Sequence, residues 1–359
     1  MILLLVSKKV NTIHNSTEQQ GQLTIRDIAR LSGVSTATVS RLFHNPSCLK
    51  PDTKAKIEAV IEKHQYIPNL NASALTTKNT MTVGLIIPTV KSSIHSALIQ
   101  SVQDTCAELG YSVIMGNTNY SEETEKNLLD IMLNRRVTGI IHAGTVNPKF
   151  IAMLRRAAEH SIPSVVVWEN ISDNEISSVG IDNYRASYDA TQYLIDCGHK
   201  DMGLLLGPYT TMNRLAQRRL GFMDCMNHNN LYAGDDTIIS LSHEVRDGVM
   251  GAAMLIGKHP RLTAIYAASD VLAFGALYSL RQMGRRVPKD ISLVGFDNIE
   301  FSEYCIPSLT TVNVPAVKMG KKAVFELVDK IQHNRLQAKH IYLEHEIIIR
   351  DSVANYRAT

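Results

Sequence analysis

Three side chains on one face of a short segment have types and spacing that suit contact with DNA bases. Thr36, Ala37 and Arg41 fall on the outward face near the start of a predicted helix. The apolar residues Val39 and Leu42 recur at helical spacing and point inward. The guanidinium of Arg41 can donate two parallel hydrogen bonds to guanine in a major groove. The pattern therefore predicts a helix that reads base edges, with Arg41 carrying much of the readout.

A helix-turn-helix would position this face. Thr24 followed by Asp27 predicts the N-terminal cap of a first helix over residues 25–32. Gly33 permits a positive φ in the turn, and Ser35 can cap the second helix. A plain pair of helices in another helical domain would show the same pattern, so this segment alone does not distinguish the two.

A third helix and a short connecting segment follow. Pro51 is favourable as a first helical residue, and the apolar pattern ends near Tyr66, so three helices can share a small core. Residues 69–75 are too few for a stable isolated helix. We expect them to be disordered without a partner, and an ordinary linker is the simpler interpretation.

The N-terminal 80 residues differ in net charge from the rest of the chain. The protein has 359 residues, enough for two or three folding units, and a net charge of +3. Residues 1–80 hold ten Lys or Arg and five Asp or Glu, whereas the remainder holds 27 and 29. This asymmetry places the cationic surface where phosphate binding would need it, although a basic solvated face without a partner is common.

Cysteine usage and hydropathy bear on the compartment and on cofactors. The five cysteines are scattered, with no Cys-x-x-Cys pair and no Cys/His cluster at zinc spacing. We therefore expect a cytoplasmic protein without a metal or another cofactor. No stretch approaches the length of a membrane span, and the polar residues 1–22 predict a disordered leader.

From Thr82 onward, apolar runs of strand length alternate with helical patterns, which predicts βαβ units and parallel sheets. Two similar runs, 83–88 and 202–208, each open a lobe, so we expect a cleft between two α/β lobes. Ligands bind beyond the carboxyl ends of such strands. This rule selects residues 92–95, Trp168 with Glu169, Ser269 with Asp270, and Asp297. They suit a small polyhydroxylated molecule, although Asp270 is better explained as a helix cap.

Several motifs occur in the same order as in the LacI/GalR family of bacterial transcription regulators, which the chain resembles over residues 23–352. The matching segments are residues 34–41, 66–69, 182–183, 198–199, 218–222, 269–270, 294–297, 307–311 and 350–352. The resemblance implies an all-α helix-turn-helix domain and a two-lobed α/β core with parallel sheets, like a type I periplasmic sugar-binding protein. It also implies a homodimer that binds an operator with inverted repeats.

The expected domains follow from the same resemblance. We expect a leader over 1–22, a helix-turn-helix domain over 23–67, a hinge helix over 68–80 and a core over 81–359. Within the core, the first lobe comprises 81–179 with 312–338, and the second comprises 180–311 with 339–359. In the family, the hinge folds on operator DNA and its leucine wedges into the minor groove, a known use of an apolar side chain.

The resemblance assigns roles to individual residues on the DNA side. Thr36, Ala37 and Arg41 match base-reading positions. The positions that match contacts to the DNA backbone or lie in the hinge are Ser35, Thr38, Thr53, Tyr66, Asn69, Ala72 and Leu75, of which Leu75 inherits the wedge.

It assigns a second set to the cleft. Positions that match family contacts to the effector are Ser92, Ile94, His95, Trp168, Ile181, Arg218, His243, Ser269 and Asp297. Arg218 and Asp297 would act as donor and acceptor for ligand hydroxyls. Ser269 stands where Asn is usual, and His243 stands where an aromatic ring often stacks. Segments 36–37, 269–271 and 296–299 resemble the cytidine-repressor branch, so both a sugar and a nucleoside stay open as effectors.

The sequence therefore favours an effector-controlled repressor over two alternatives. An enzyme would need a chemical constellation, and the chain has no Gly-x-Gly-x-x-Gly after a strand, phosphate loop, Gly-x-Ser-x-Gly elbow or His-Glu-x-x-His. A solute receptor of the periplasmic-binding type could use the core but has no use for residues 24–75. Whether the effector releases DNA or tightens its binding is left open by the sequence.

Overall fold

The computed structural model describes residues 23–44, 48–67, 80–335 and 337–356. The chain divides after Lys78 into two compact units. The leader expected over residues 1–22 and most of the hinge expected over 68–80 lie outside the described residues, as do Asn69, Ala72 and Leu75.

The described part of the first unit contains three helices, α1 (Ile25–Ser32), α2 (Thr36–His44) and α3 (Pro51–His64). Thr24 and Asp27 form the reciprocal capping box of α1, and Gly33 ends that helix at a φ of 66°. The helices enclose a core of Ile28, Ala29, Val39, Leu42 and Ile57. The predicted helix-turn-helix is confirmed in its turn and in its buried face.

The second unit is built on two six-stranded sheets of the same strand order. The strands of the first sheet, from edge to edge, are β11 (His340–Tyr342), β5 (Ser177–Gly180), β4 (Ser164–Trp168), β3 (Gly139–His142), β1 (Thr82–Ile87) and β2 (Ser112–Asn117). Those of the second are β12 (Glu346–Ile348), β10 (Thr310–Asn313), β9 (Ser292–Asp297), β8 (Ala264–Ala267), β6 (Met202–Leu206) and β7 (Ile238–Ser240). The two similar runs seen in the sequence therefore become β1 and β6, at equivalent places in the two sheets.

Helices cover both faces of each sheet. The helices packed on the first sheet are α4 (Ser93–Glu108), α5 (Glu122–Asn134), α6 (Pro148–Glu159) and α12 (Ala316–His333). Those packed on the second are α7 (Asn183–Asp196), α8 (Asn213–His228), α9 (Val245–Lys258) and α10 (Asp270–Gln282), and a short α11 (Phe301–Tyr304) precedes β10. Leu85 and Ile87 face one helical layer and Ile86 the other, as the period of two along a strand requires. The doubly wound α/β fold is confirmed.

The chain crosses between the sheets three times, near residues 181, 314 and 344. The third crossing differs from the expected boundary at 338/339, because β11 pairs in parallel with β5 and so stays in the first lobe. The second sheet is also not wholly parallel, since β12 runs antiparallel to β10 at its edge. Such an edge strand is common on parallel sheets.

A search of the described helices finds none that is both long and apolar enough to cross a membrane.

Candidate functional site

The outward face of α2 carries the residues predicted to read bases. Thr36, Ala37 and Arg41 are exposed, whereas Val39 and Leu42 are buried in the three-helix core. Ser35 precedes the helix, and its hydroxyl accepts a hydrogen bond from the Thr38 backbone N–H at 3.1 Å. The start of α2 therefore projects short side chains and one guanidinium into solvent, with the positive end of its helix dipole beside them.

The other predicted DNA-contacting residues lie on α3 or just after it. Thr53 is half-buried in the first turn of α3, and Tyr66 packs against the three-helix core. Both positions are held by the same small core as α2. The three predicted hinge contacts lie outside the described residues.

A cavity lies where the carboxyl ends of strands from the two sheets meet. It contains about 540 Å³ of empty space, part of it open to solvent. Its lining includes eight of the nine residues predicted to contact an effector: Ser92, Ile94, His95, Trp168, Ile181, Arg218, His243 and Asp297. The residues come from both sheets and from the crossing near residue 181. The structure therefore brings distant parts of the chain to one site.

Ser269 is the predicted residue that does not line the cavity. It is fully buried, and its hydroxyl caps α10 by accepting from the Leu272 N–H at 3.3 Å. Asp270 was expected to be this cap, but its carboxylate instead accepts hydrogen bonds from Ile299 N–H at 2.9 Å and from two hydroxyls at 2.6 Å, those of Ser302 and Thr311. Both residues hold the second lobe together.

Arg218 lies in the wall of the cavity and is held from several sides. Its guanidinium donates to the Asn183 side-chain oxygen at 2.9 Å and to the Ala268 carbonyl at 2.7 Å. It stacks 3.5 Å over the Phe296 ring, and one nitrogen lies 3.9 Å from an Asp297 oxygen. That last distance is too long for a hydrogen bond, so Asp297 keeps its oxygens available to a ligand.

Three lining residues have a positive φ, Tyr120, Trp168 and Asp297, and the last two end strands. Trp168 ends β4 at a φ of 80°, and Asp297 ends β9 at a φ of 116°. Residues other than glycine rarely adopt such values, and they concentrate at functional sites because the surrounding structure must impose them. At each of the two strand ends, the unusual backbone aims a large or charged side chain into the cavity.

The two histidines of the cavity are neutral near pH 7. Burial lowers the pKa of His95 to about 3, with Arg214 adding to the shift. Burial likewise lowers the pKa of His243 to about 4, and both Arg218 and Arg214 contribute. His95 lies against Trp168, with ring centres 5.4 Å apart. Neutral imidazoles can accept or donate a hydrogen bond, and they add no charge to the site.

Four lining residues were missed from the sequence: Tyr120, Met212, Arg214 and Leu215. Three of them belong to the segment that follows β6, which the strand-end rule would have included. Arg214 is buried at the start of α8 and donates to the Gly144 carbonyl of the opposite lobe at 3.4 Å. Its neighbour Asn213 donates to the Glu169 carboxylate, also across the cleft, at 2.7 Å.

Comparisons with known proteins agree with these two units. Residues 24–69 match the model of bacterial regulatory proteins of the lacI family, and residues 191–353 match a periplasmic binding protein-like domain. The chain is 30% identical over 333 residues to the HTH-type transcriptional repressor PurR of Klebsiella pneumoniae, covering 92% of this chain and 97% of that protein. It is also 30% identical over 329 residues to the regulator RegA of Clostridium saccharobutylicum, covering 91% and 98%.

Solved structures show the same architecture. The lac repressor dimer bound to operator and the anti-inducer ONPF superposes with a TM-score of 0.82 at 25% identity, over 92% of this chain and 99% of that one. The complex of the transcriptional regulator CelR with cellobiose gives a TM-score of 0.70 at 25% identity, over 92% and 99%. The chain belongs to the lacI family of bacterial regulatory proteins and is a transcriptional regulator, not an enzyme or a mere solute receptor.

Proposed function

We propose that this regulator is a homodimeric repressor in the cytoplasm, whose operator affinity is controlled by a small polyhydroxylated effector in the cavity between the lobes. The observation that carries the proposal is the pair of strained strand ends, Trp168 and Asp297, which aim an aromatic ring and a carboxylate into one cavity. Among the similar structures, the lac repressor dimer is bound to operator and the anti-inducer ONPF, and CelR is in complex with cellobiose.

On the DNA side, Arg41 reads a guanine in each half-site, and Thr36 and Ala37 contact neighbouring bases. Ser35, Thr38, Thr53, Tyr66 and Asn69 contact the phosphate backbone. Ala72 and Leu75 belong to the hinge, and Leu75 wedges into the minor groove. The exposure of Thr36, Ala37 and Arg41 on the outward face of α2 supports these roles. Because the dimer has two-fold symmetry, the operator contains inverted repeats.

On the effector side, the Asp297 carboxylate accepts from ligand hydroxyls, the Arg218 guanidinium donates, and Trp168 covers an apolar ligand face. Ser92, Ile94, His95, Ile181 and His243 complete the contact surface. Ser269 acts through its capping of α10 and not through direct contact. A sugar or a nucleoside could satisfy this set, since both present hydroxyls and a flat or apolar face.

The effect on DNA arises from closure of the lobes. Contacts across the cleft, such as Asn213 with Glu169, lie beside the cavity, so an occupant changes how the lobes meet. The change alters the faces of the first lobe from which the two hinge segments emerge. This coupling between the cavity and the operator is of order 1 to 3 kcal/mol.

Replacement of Asp297 by Ala tests both halves of the mechanism. We expect Asp297→Ala to bind operator DNA as the wild type does in a mobility-shift assay and to lose the response to an effector. The effector is first sought by thermal shift with sugars and nucleosides, since any binder stabilises the folded state. A normal dose response in the variant would exclude the assigned role of Asp297. Failure of the wild type to retard any palindromic genomic fragment at low salt would reject the whole proposal.

A further inference from the structure

Arg214 is a buried cation without a carboxylate partner. Its residue is 9% exposed, and its guanidinium makes a 3.4 Å hydrogen bond to the Gly144 carbonyl and a 3.9 Å contact to the Met212 sulfur. Within the described residues, no Asp or Glu oxygen lies within 4.0 Å of it. Arg218, by contrast, is held by two good hydrogen bonds, an aromatic ring and a nearby carboxylate.

Burial of an unpaired charge is costly, and an arginine cannot avoid the cost by losing its proton. When such a group lines a cavity, a bound ligand can supply the missing negative charge. Other largely buried arginines of this chain are paired with carboxylates, Arg219 with Asp235 and Arg335 with Glu326 and Asp329. Arg214 has no comparable partner and lines the cavity.

The side chains that line the cavity carry an excess of positive charge. Among the described residues, the lining contains Arg214, Arg218 and one carboxylate, Asp297, and its two histidines are neutral because burial lowers their pKa values. The buried Glu169 lies beside the cavity, where it accepts a hydrogen bond from Asn213 at 2.7 Å, but it is not a lining residue. No side chain caps the start of α8, where Arg214 is the second residue. The positive end of the α8 dipole therefore adds to the field at the same wall.

We infer that the effector carries an anionic group, a carboxylate or a phosphate, which the Arg214 guanidinium binds while Arg218 and Asp297 contact the ligand's hydroxyls. The inference deepens the proposed function and rests on the cavity being the effector site. A guanidinium presents parallel N–H donors that match the oxygens of both groups. The effector is then a sugar acid or a sugar phosphate and not a neutral sugar or nucleoside.

The first test uses the full-length protein without DNA and needs no identified effector. We expect inorganic phosphate to raise the unfolding temperature of the wild type above that in chloride of equal ionic strength, and Arg214→Gln to lose this increase. Without anions, Arg214→Gln should itself unfold at a higher temperature than the wild type, because it removes an unpaired buried charge. Arg219→Gln is the matched control, since Arg219 lies on the same helix but pairs with Asp235. It should respond to phosphate as the wild type does.

The second test compares matched ligands by calorimetry: gluconate with glucose for the carboxylate, and ribose 5-phosphate with ribose for the phosphate. In the pair that binds, the anion should bind at least tenfold more tightly than the neutral sugar, and Arg214→Gln should abolish the difference. An equal phosphate response in the wild type and Arg214→Gln would overturn the inference, and so would a neutral sugar that binds as tightly as its acid. If a neutral effector releases the operator, the inference of an anionic group is wrong and the proposed function stands. If the protein binds no operator, the proposed function is rejected, and the anion measurements still decide the inference about Arg214.

Discussion

At the scale of single residues, Asp297 shows how burial sets the chemistry of the cavity. Burial raises the pKa of its carboxyl to about 7, and Asp270 raises it further. Arg218 at 3.9 Å and, by a smaller amount, the more distant Arg214 lower this pKa only in part. Between about pH 4 and pH 7 the folded protein therefore holds a proton that the unfolded chain has released. The contribution of this carboxyl therefore lowers the free energy of unfolding as the pH rises through that window.

The same pKa predicts a pH dependence of effector binding. Ligand hydroxyls donate to the ionised form of Asp297, so affinity should rise about tenfold from pH 6 to pH 8 for an effector whose own groups do not titrate there. Calorimetry at the two pH values measures it. Asp297→Asn should bind weakly and show little of this change. The pKa values of His95 and His243 lie far below this range, and Asp270, with a pKa of about 6, does not line the cavity. An equal rise in Asp297→Asn would assign the titration to another group.

Arg41 is the residue on which sequence preference should depend most. Replacement of Arg41 by Ala should cost about 1 to 3 kcal/mol of discrimination at one base pair, because a bidentate contact to guanine is lost. Binding to a set of single-base operator variants measures the preference. Arg26→Ala, at an exposed position on α1, is the control and should leave the order of preference unchanged. An unaltered preference in Arg41→Ala would place the readout elsewhere.

At the scale of elements, a buried carboxylate ties α10 to the end of β9 and to β10. Asp270 begins α10 and accepts hydrogen bonds from Ile299, Ser302 and Thr311. Burial raises its pKa to about 6, although the two hydroxyl donors oppose the shift. Since Ile299 lies two residues after Asp297, these bonds help to hold the strained strand end in place.

Gly295 leaves the space that this carboxylate occupies. A Cβ at this position would overlap the Asp270 carboxylate and also approach Leu309 within 2.8 Å. Gly295→Ala should therefore lower the free energy of unfolding of the core by about 1 to 3 kcal/mol and weaken effector binding with it. Denaturant unfolding measures the first effect. The control is Gly257→Ala in α9, where a Cβ meets nothing within 4 Å. It should be neutral or stabilise the helix, and equal losses in the two variants would contradict the packing explanation.

At the scale of the whole molecule, two helices of the second lobe expose apolar side chains that a second copy can cover. Met250 and Met254 lie on α9 and Tyr278 lies on α10, which packs against α9, and Tyr278 is 58% exposed. Neighbouring apolar residues of this kind often mark an interface. We predict that this surface joins the two cores in the homodimer that we propose.

Tyr278→Glu should therefore produce monomers, because it would bury two charges at the interface. Sedimentation measures the oligomeric state. Operator affinity should fall by about a hundredfold or more, since the two half-sites are no longer bound by one linked particle. Ile131→Glu on α5, at a position of similar exposure, is the control and should remain dimeric. A dimeric Tyr278→Glu would move the interface to another surface.

The sequence alone determined the parts of this protein that depend on local patterns. The capped helices, the glycine turn with its φ of 66° and the succession of βαβ units follow from side-chain type and spacing. The family resemblance was likewise visible in ordered motifs, and eight of the nine residues that it assigned to the effector line one cavity.

Only the tertiary structure decided whether a polar residue that follows a strand faces the cavity or supports the fold. Ser269 and Asp270 both follow β8, yet both are turned into the lobe because Leu272 N–H, Ile299 N–H and nearby hydroxyls need acceptors there. Arg214 shows no distinguishing pattern in the sequence. Only the assembled lobes bury it without a carboxylate within ion-pair distance among the described residues. The burial of a residue and the net charge around it depend on groups that are far apart in the chain. They are therefore decided only when the sheets are assembled.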